Sequence, residues 1–389
     1  MVHLLLGIIY VAFISLGLPD ALLGSAWPAM QEELNVPLSY AGGISLAISL
    51  STVISSLLSD RLTRRFGPGK VTAISVGLTA VALAGFSFSG SYWQLILWAI
   101  PYGLGAGSVD AALNNYVALH YASRHMSWLH CMWGLGASIG PYIMGLALTG
   151  GMRWTTGYRV ISVFQIVLTC VLFLSLPLWK RQTRQEDTDA SSPSAPALSI
   201  PQIFRIPGAK EILTAFFCYC ALEQTAILWG SSYLVLHEGF SPELGASFGS
   251  LFLIGITVGR AISGFLTYRI NDTNMIRLGQ GIILVGLVLM LLPLGRSLAM
   301  AGLILIGLGC APIYPSVIHS TPAHFGEENS QAIIGVQMAT AYLGNCAMPP
   351  LFGILANHIS VALLPWYLGI IGVLMIFMCE RLNRKCRVS

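Results

Sequence analysis

The sequence predicts an all-α membrane protein whose twelve transmembrane helices form two six-helix bundles. Three observations carry this expectation. Only 9% of the 389 residues are Asp, Glu, Lys or Arg, 55% are hydrophobic, and mean hydropathy is +0.74. Soluble chains carry about 25% charged residues, so 36 charges cannot clothe a water-facing surface of this size. Twelve apolar stretches are each long enough to cross a hydrocarbon core, which takes about 20 helical residues. The two halves of the chain also echo one another. This composition excludes an ordinary soluble enzyme, a disordered regulator and a nucleic-acid binder, and a net charge of +4 says little about partners.

The spans run over 4–26, 39–59, 69–89, 92–120, 127–149 and 157–179, and then over 209–236, 244–267, 275–294, 297–320, 330–356 and 362–381. The first lacks a basic leader and a small-residue cleavage site, so it reads as a span and not as a signal peptide. Trp27-Pro28 and Gln31-Glu32-Glu33 are expected in the first outer loop, gating or capping a cavity. The one long gap, 180–208, holds KRQTRQEDTDASSPSAP and reads as a flexible cytoplasmic linker. The domains expected are therefore an N-terminal bundle over 1–179, the linker over 180–208 and a C-terminal bundle over 209–389.

Charge placement sets the orientation. Twelve spans put both termini on one side. That side receives sixteen Lys and Arg residues, among them Arg61, Arg64, Arg65, Lys70, Arg124, Lys180, Arg205, Arg277 and Arg384. The other side receives Arg153, Arg159 and Arg296, and Arg260 lies within a span. Basic loops stay in the cytoplasm, so both termini and the linker are expected there, in a cell (inner or plasma) membrane. The eight cysteines show no metal-ligand spacing and no disulfide framework, and read as small buried hydrophobes.

A shift of about 208 residues superposes the halves. Pro141 meets Pro349, Gly145 meets Gly353, Tyr158 meets Trp366, and Ser56–Leu62 meets Gly264–Ile270. With a four-residue adjustment Gly103-Leu104-Gly105 meets Gly307-Leu308-Gly309. Parallel six-span repeats are the plan of secondary transporters.

The segment Ser56 to Lys70 resembles the signature loop between the second and third spans of the major facilitator superfamily. Asp60, Arg61, Arg64 and Arg65 match it, while Ser56 and Thr63 stand where glycines are usual. The resemblance implies a bracing, conformational role for this loop. Three further stretches, Gly17-Leu18-Pro19-Asp20 through Gly24, Gly103 through Asn115, and Gly309 through Pro315 followed by His319, are similar to the fucose–galactose–gluconate proton symporter branch. That branch also includes sodium-coupled glucose carriers. The resemblance implies alternating access, a small sugar as cargo and coupling to protons, with acids at the positions of Asp20 and Asp110.

Ionisable groups at bilayer depth cost about 2.5–3.5 kcal/mol on insertion scales and persist where they have a task. Asp20 follows Pro19, which can kink the helix; it reads as a proton- or substrate-binding carboxylate, or as a helix-end acid facing water. Asp110 shares a helical face with Asn114, while Asn115 is offset. The pair can hold a sugar or a proton, or form an interhelical cluster. Glu223, with Trp229 six residues on, reads as a sugar ligand or a polar interhelical contact. Arg260 reads as a partner for a buried acid or helix end, or as a carboxylate-binding group if the cargo is an acidic sugar.

Sugar sites pair aromatic faces with polar side chains. The uncharged candidates are His130 and Trp133 in the fifth span, Tyr314 and His319 in the tenth, and Gln337, Tyr342 and Asn345 in the eleventh. Each has a plain alternative as a packing residue or interfacial anchor. No nucleotide-binding phosphate loop, metal motif or hydrolase elbow occurs, and Gly103-x-Gly105-x-Gly107 lies in an apolar helix where small residues serve packing.

The expectation is therefore a sugar carrier with no cofactor and no metal, working within the lipid bilayer by proton symport, for which a single chain suffices. Asp20 and Asp110 are assigned to coupling. Asn114, Asn115, His130, Trp133, Glu223, Trp229, Tyr314, His319, Gln337 and Asn345 are assigned to cargo. The alternatives are a sodium-coupled sugar carrier, a drug or metabolite exporter of the same fold, and a non-transporting membrane receptor.

Overall fold

The computed structural model describes residues 2–37, 40–187, 198–240, 242–292 and 295–386, and among them there are helices and no strands. The helices are α1 (Val2–Asp20), α2 (Leu22–Leu34), α3 (Tyr40–Phe66), α4 (Pro68–Phe88), α5 (Tyr92–His120), α6 (Ser123–Thr149) and α7 (Trp154–Asp187). They continue as α8 (Ile200–Ile203), α9 (Ala209–Leu236), α10 (Pro242–Leu266), α11 (Asp272–Leu291), α12 (Arg296–His319), α13 (Thr321–Phe325), α14 (Glu327–His358) and α15 (Leu364–Cys386). Counting α1 with α2 as one broken span, twelve segments are long. Ten of them are long and apolar enough to cross a bilayer, and Phe252–Leu266 of α10 is a shorter apolar helix. The remaining segment, α14, carries Gln337, Tyr342, Asn345, Pro349 and Pro350 in its interior, which lower its hydropathy.

By compactness the chain forms two units. One is Met1–Tyr116 with Met132–Leu198, and the other is Val117–Cys131 with Ser199–Ser389. We retain 1–179, 180–208 and 209–389 as the proposed functional division; the centre of the linker, 188–197, lies outside the described residues. Helix α7 runs on to Asp187, into the stretch expected as linker.

In the first unit, the expectation of an outer loop at Trp27–Glu33 is corrected, because α2 stays helical to Leu34. Its apolar stripe Leu22, Ala26, Trp27 and Met30 is buried against Leu83, Phe86, Tyr102, Met144 and Tyr158. Burial of large side chains at about 25 cal/mol per Å² outweighs the cost of ordering the segment. Glu33 then meets Arg153 and accepts from the Trp154 indole at 3.1 Å. Asn35 closes the helix in the left-handed region, its N–H bonded back to Gln31 and Glu32.

Pro19 lies within the last turn of α1 and α2 restarts at Leu22. Proline has no N–H for the carbonyl four residues back. That carbonyl, on Ser15, is taken instead by Gln165 Nε2 of α7 at 2.8 Å, and Gln165 Oε1 lies 2.5 Å from the Thr79 hydroxyl of α4. Gln165 is buried. Gln165→Leu strands the Ser15 carbonyl, while Thr79 keeps its bond to the Val76 carbonyl, so we expect a loss of about 1–3 kcal/mol, read as a lower melting temperature in detergent. An unchanged melting temperature would remove Gln165 from this role.

The glycine echo in the sequence has a matching packing pattern inside each unit. A Cβ on Gly105 of α5 would lie 2.6 Å from the Ser75 carbonyl of α4, one on Gly309 of α12 would lie 2.6 Å from the Gly279 carbonyl of α11, and one on Gly279 would lie 2.5 Å from the Gly309 carbonyl. The third and fourth spans thus touch backbone to backbone as the ninth and tenth do, the close approach that small residues permit. The outer surfaces carry exposed apolar side chains such as Phe88, Trp93, Leu174, Leu228 and Ile370, as a lipid-facing wall requires. The described cysteines are all free; Cys218, Cys220, Cys310 and Cys379 are buried, but Cys170 is exposed on α7, which corrects the expectation of uniform burial.

Candidate functional site

In the first unit the polar centre follows from close packing of α1 on α6. A Cβ on Gly17 would lie 2.1 Å from the Trp133 carbonyl, and Cβ atoms on Gly136 and Gly140 would lie 2.1 and 1.9 Å from the carbonyls of Ile14 and Leu18. Only hydrogen atoms fit there. The approach places Asp20, at the end of α1, against Trp133. The Trp133 indole donates to Asp20 Oδ2 at 2.8 Å, and the Tyr102 hydroxyl of α5 donates to Oδ1 at 3.2 Å. Asp20 is nonetheless exposed, and among the described residues no cation lies within ion-pair distance of it. An open carboxylate held by two neutral donors, with no countercharge, is a place where a proton can be taken up.

Further along α5, Asn114 Nδ2 donates to Asp110 Oδ1 at 2.8 Å and to the Asp110 carbonyl at 3.0 Å. The face shared by these residues is thus a hydrogen-bonded unit. Asn114 and Asn115 are buried, while Asp110 is half-buried. The segment expected as a loop is corrected, because α3 stays helical to Phe66 and α4 begins at Pro68; within α3 Asp60 is buried and accepts from Arg64 Nε at 2.8 Å one helical turn on, and Asp60 Oδ2 has no hydrogen-bond partner among the described residues. Arg65 lies over the Phe66 ring, and Arg61 is exposed.

The second unit holds a denser cluster. Arg260 of α10 is buried and its Nη2 lies 3.2 Å from Glu223 Oε1 of α9. The Arg260 guanidinium is 5.9 Å from the centre of the Tyr314 ring of α12. Around Tyr314 stand His130 at 4.5 Å, Phe216 at 4.8 Å and Tyr219 at 5.9 Å between ring centres. The Tyr219 hydroxyl donates to the Cys310 carbonyl at 3.1 Å, and that of Tyr314 reaches Met338 Sδ at 3.3 Å. An ion pair thus sits in a box of four rings.

The other candidates are placed as follows. Trp229 donates to the Pro349 carbonyl at 2.9 Å and packs edge-on against Phe352, tying α9 to α14. Gln337 is fully buried; it accepts from Thr321 at 3.1 Å, and its Nε2 has no partner among the described residues. Asn345 is half-buried with no hydrogen bond among the described residues, and Tyr342 is half-buried on the same helix. His319 uses both ring nitrogens: Nδ1 lies 2.6 Å from Asp272 Oδ2 and Nε2 3.0 Å from the Tyr121 carbonyl, while Ser123 bonds the other Asp272 oxygen. Hydroxyl recognition by His319 would first have to break one of these bonds. His130 and Trp133, three apart in sequence, enter different clusters.

Sequence reasoning overlooked Tyr102, Gln165, Tyr219 and Asp272. Tyr219 lies one turn before Glu223, and Gln165 is a lone amide in an apolar span; both were readable signals. Nothing in the sequence tied Tyr102 to Asp20, 82 residues away.

A family model described as Major Facilitator Superfamily matches residues 9–349. The chain belongs to the major facilitator superfamily. Superfamily members are transporters, so this is a multi-span membrane transporter and not an enzyme. It is 20% identical to the glucose/mannose transporter GlcP of Bacillus subtilis, over 96% of this chain and 94% of GlcP. It is 25% identical to the 4-hydroxybenzoate transporter PcaK of Pseudomonas putida, over 92% of this chain and 89% of PcaK. Among solved structures it is similar to the superfamily transporter FucP in the outward conformation, with a TM-score of 0.77 at 15% identity, covering 96% of this chain and 98% of FucP. A second FucP structure, named as the E. coli fucose:proton symporter, matches with a TM-score of 0.74 at 14% identity, covering 96% of this chain and 98% of that one. These likenesses show the major facilitator fold.

Proposed function

We propose that this transporter carries a monosaccharide together with a proton. The observation that carries the reading is Asp20, an exposed carboxylate within the first span, bonded to the Trp133 indole and the Tyr102 hydroxyl with no cation within ion-pair distance among the described residues. A ring and a carboxylate side by side suit a sugar, whose apolar face stacks while its hydroxyls hydrogen-bond. The same carboxylate takes the coupling proton. Asp110, with Asn114, is the second coupling group, and Asn115, His130, Glu223, Tyr314, Gln337 and Asn345 are proposed to contact cargo. Trp229 and His319 serve cargo through the helix contacts they hold. The relatives named for glucose and mannose and for fucose with a proton support this choice. The chain is proposed to act as a monomer in the cell membrane with both termini cytoplasmic, as the basic loops indicate.

Uptake of labelled glucose, mannose and fucose into proteoliposomes tests this. With acid outside and no sodium gradient, at least one sugar is expected to accumulate in sodium and choline media alike. Accumulation only when an inward sodium gradient is imposed would replace the proton by sodium. Accumulation of 4-hydroxybenzoate with no sugar uptake would overturn the cargo assignment.

A further inference from the structure

We infer that the second unit holds a binding site for a phosphoryl group, in a cavity between α11, α13 and α15 at the end proposed to face the cytoplasm. None of the residues that line it is a cargo candidate, so the inference does not rest on the sugar reading.

The cavity has a volume of about 220 Å³ and opens to solvent. Asn271, Thr273 and Arg277 line it from the start of α11, His324 from α13, and Asn383 from the last turns of α15. Its walls are tied to one another. Arg277 donates from Nε and Nη2 to the two Glu380 oxygens at 2.7 and 2.8 Å, joining α11 to α15. The Cys386 thiol reaches the His324 carbonyl at 4.0 Å, joining α15 to α13. Drug-sized pockets run to roughly 300–1,000 Å³, so this one suits a small phosphorylated solute or a lipid headgroup.

What gathers around the cavity is a surplus of hydrogen-bond donors. Glu380 engages one edge of the Arg277 guanidinium, which leaves the Nη1 group and one Nη2 hydrogen for another acceptor. Asn271 Oδ1 is turned to the Asn274 N–H at 2.9 Å, so its amide NH2 points away from that bond. The Thr273 hydroxyl and the Asn383 amide have no hydrogen bond among the described residues. Burial holds the His324 imidazole below its ordinary range, so it adds a ring nitrogen without a charge. No carboxylate is among the lining residues described: Asp272 is turned to His319 and Ser123. A donor-rich, acid-free cavity calls for an anion. The donors arrive from three helices, so a tetrahedral group with several oxygens meets more of them than a planar carboxylate does, and guanidinium groups match phosphate oxygens well.

The rim adds positive charge. Glu211 alone serves both Arg381 and Lys385, at 3.0 and 2.6 Å. Arg384, exposed on the same helix, has no ion pair among the described residues. The excess of cations draws an anion to the mouth, while Glu380 competes with it for Arg277.

The test is equilibrium binding to the purified full chain in detergent at neutral pH and constant ionic strength. The probes are inorganic phosphate, glycerol phosphate and dioctanoyl phosphatidate. At least one is expected to bind the wild-type protein saturably. Arg277→Gln is expected to weaken that binding by at least about tenfold, the scale of a charge-assisted contact. Asn383→Leu is expected to weaken it by about two- to tenfold, the scale of a neutral hydrogen bond. Glu380→Gln is expected to act in the opposite direction, tightening binding by about two- to fivefold as the competing surface charge is removed. A cavity held open only by the ion pair would lose affinity in that variant, so its sign decides even where Arg277→Gln is not monodisperse. Binding by phosphatidate alone supports the inference and assigns the phosphoryl group to a lipid; binding by phosphate or glycerol phosphate alone supports it and assigns the group to a soluble metabolite. No saturable binding of any probe below about 10 mM, or a Kd that is the same in wild type, Asn383→Leu and Glu380→Gln, would overturn the inference.

Discussion

Asp20→Asn is expected to abolish uphill accumulation of cargo while leaving exchange down a gradient in place. A potential of about 100 mV is worth about 2.3 kcal/mol per charge, and one pH unit about 1.4 kcal/mol. One proton coupled to one neutral solute can therefore support a gradient of roughly 500-fold under those conditions. The amide keeps the shape of the carboxylate and can still accept from the Trp133 indole through its oxygen, with its NH2 turned to the Tyr102 oxygen, but it cannot take up a proton. The concentration ratio at steady state is then expected to fall to about one, because no proton-motive energy reaches the cargo. Equilibrium counterflow of preloaded labelled sugar is the control, since it needs reorientation but no net proton movement. Full accumulation by Asp20→Asn would remove Asp20 from coupling and leave Asp110 to carry it.

The second large effect concerns stability. Removing one member of a buried ion pair costs about 3–5 kcal/mol, because the remaining charge has no compensation, whereas removing both is often near neutral. Arg260 is buried against Glu223 in α9 and α10. Arg260→Gln leaves Glu223 without its cation in an aromatic box; protonation of the acid can relieve part of this. We expect a drop of several degrees in melting temperature at neutral pH, smaller in acid, and substantial recovery in the double variant with Glu223→Gln. Equal melting temperatures for the wild-type and Arg260→Gln proteins would show that the pair has no weight in folding. This measurement needs no cargo, so it stands apart from the transport assignments.

These expectations rest on features that were unequally legible. Helix positions were readable, because an apolar run of span length has few other solutions in lipid: α5 and α9 occupy 92–120 and 209–236 as expected. The second half of the first span was missed because Trp27, Pro28 and the acids after them look like a loop. The burial of Trp27 and Met30, and the meeting of Glu33 with Arg153 and Trp154, are tertiary events that no local pattern reports. Asp20, Asp110, Glu223 and Arg260 were legible one by one, since charges in apolar spans are rare. Their partners were not. Trp133 meets Asp20 across 113 residues, through a glycine contact between α1 and α6 whose pairing no single span encodes. Tyr219, by contrast, could have been attached to Glu223 from the four-residue spacing alone.

The most direct measurement of the central claim is external pH in a lightly buffered, de-energised cell suspension expressing the protein, with single monosaccharides added in turn. Proton symport removes a proton from the medium with each sugar. We expect alkalinisation on adding at least one sugar, neutral or acidic, and its loss in Asp20→Asn cells that still take up the labelled sugar down its gradient. Labelled sugar entering wild-type cells with no change in external pH would contradict the account.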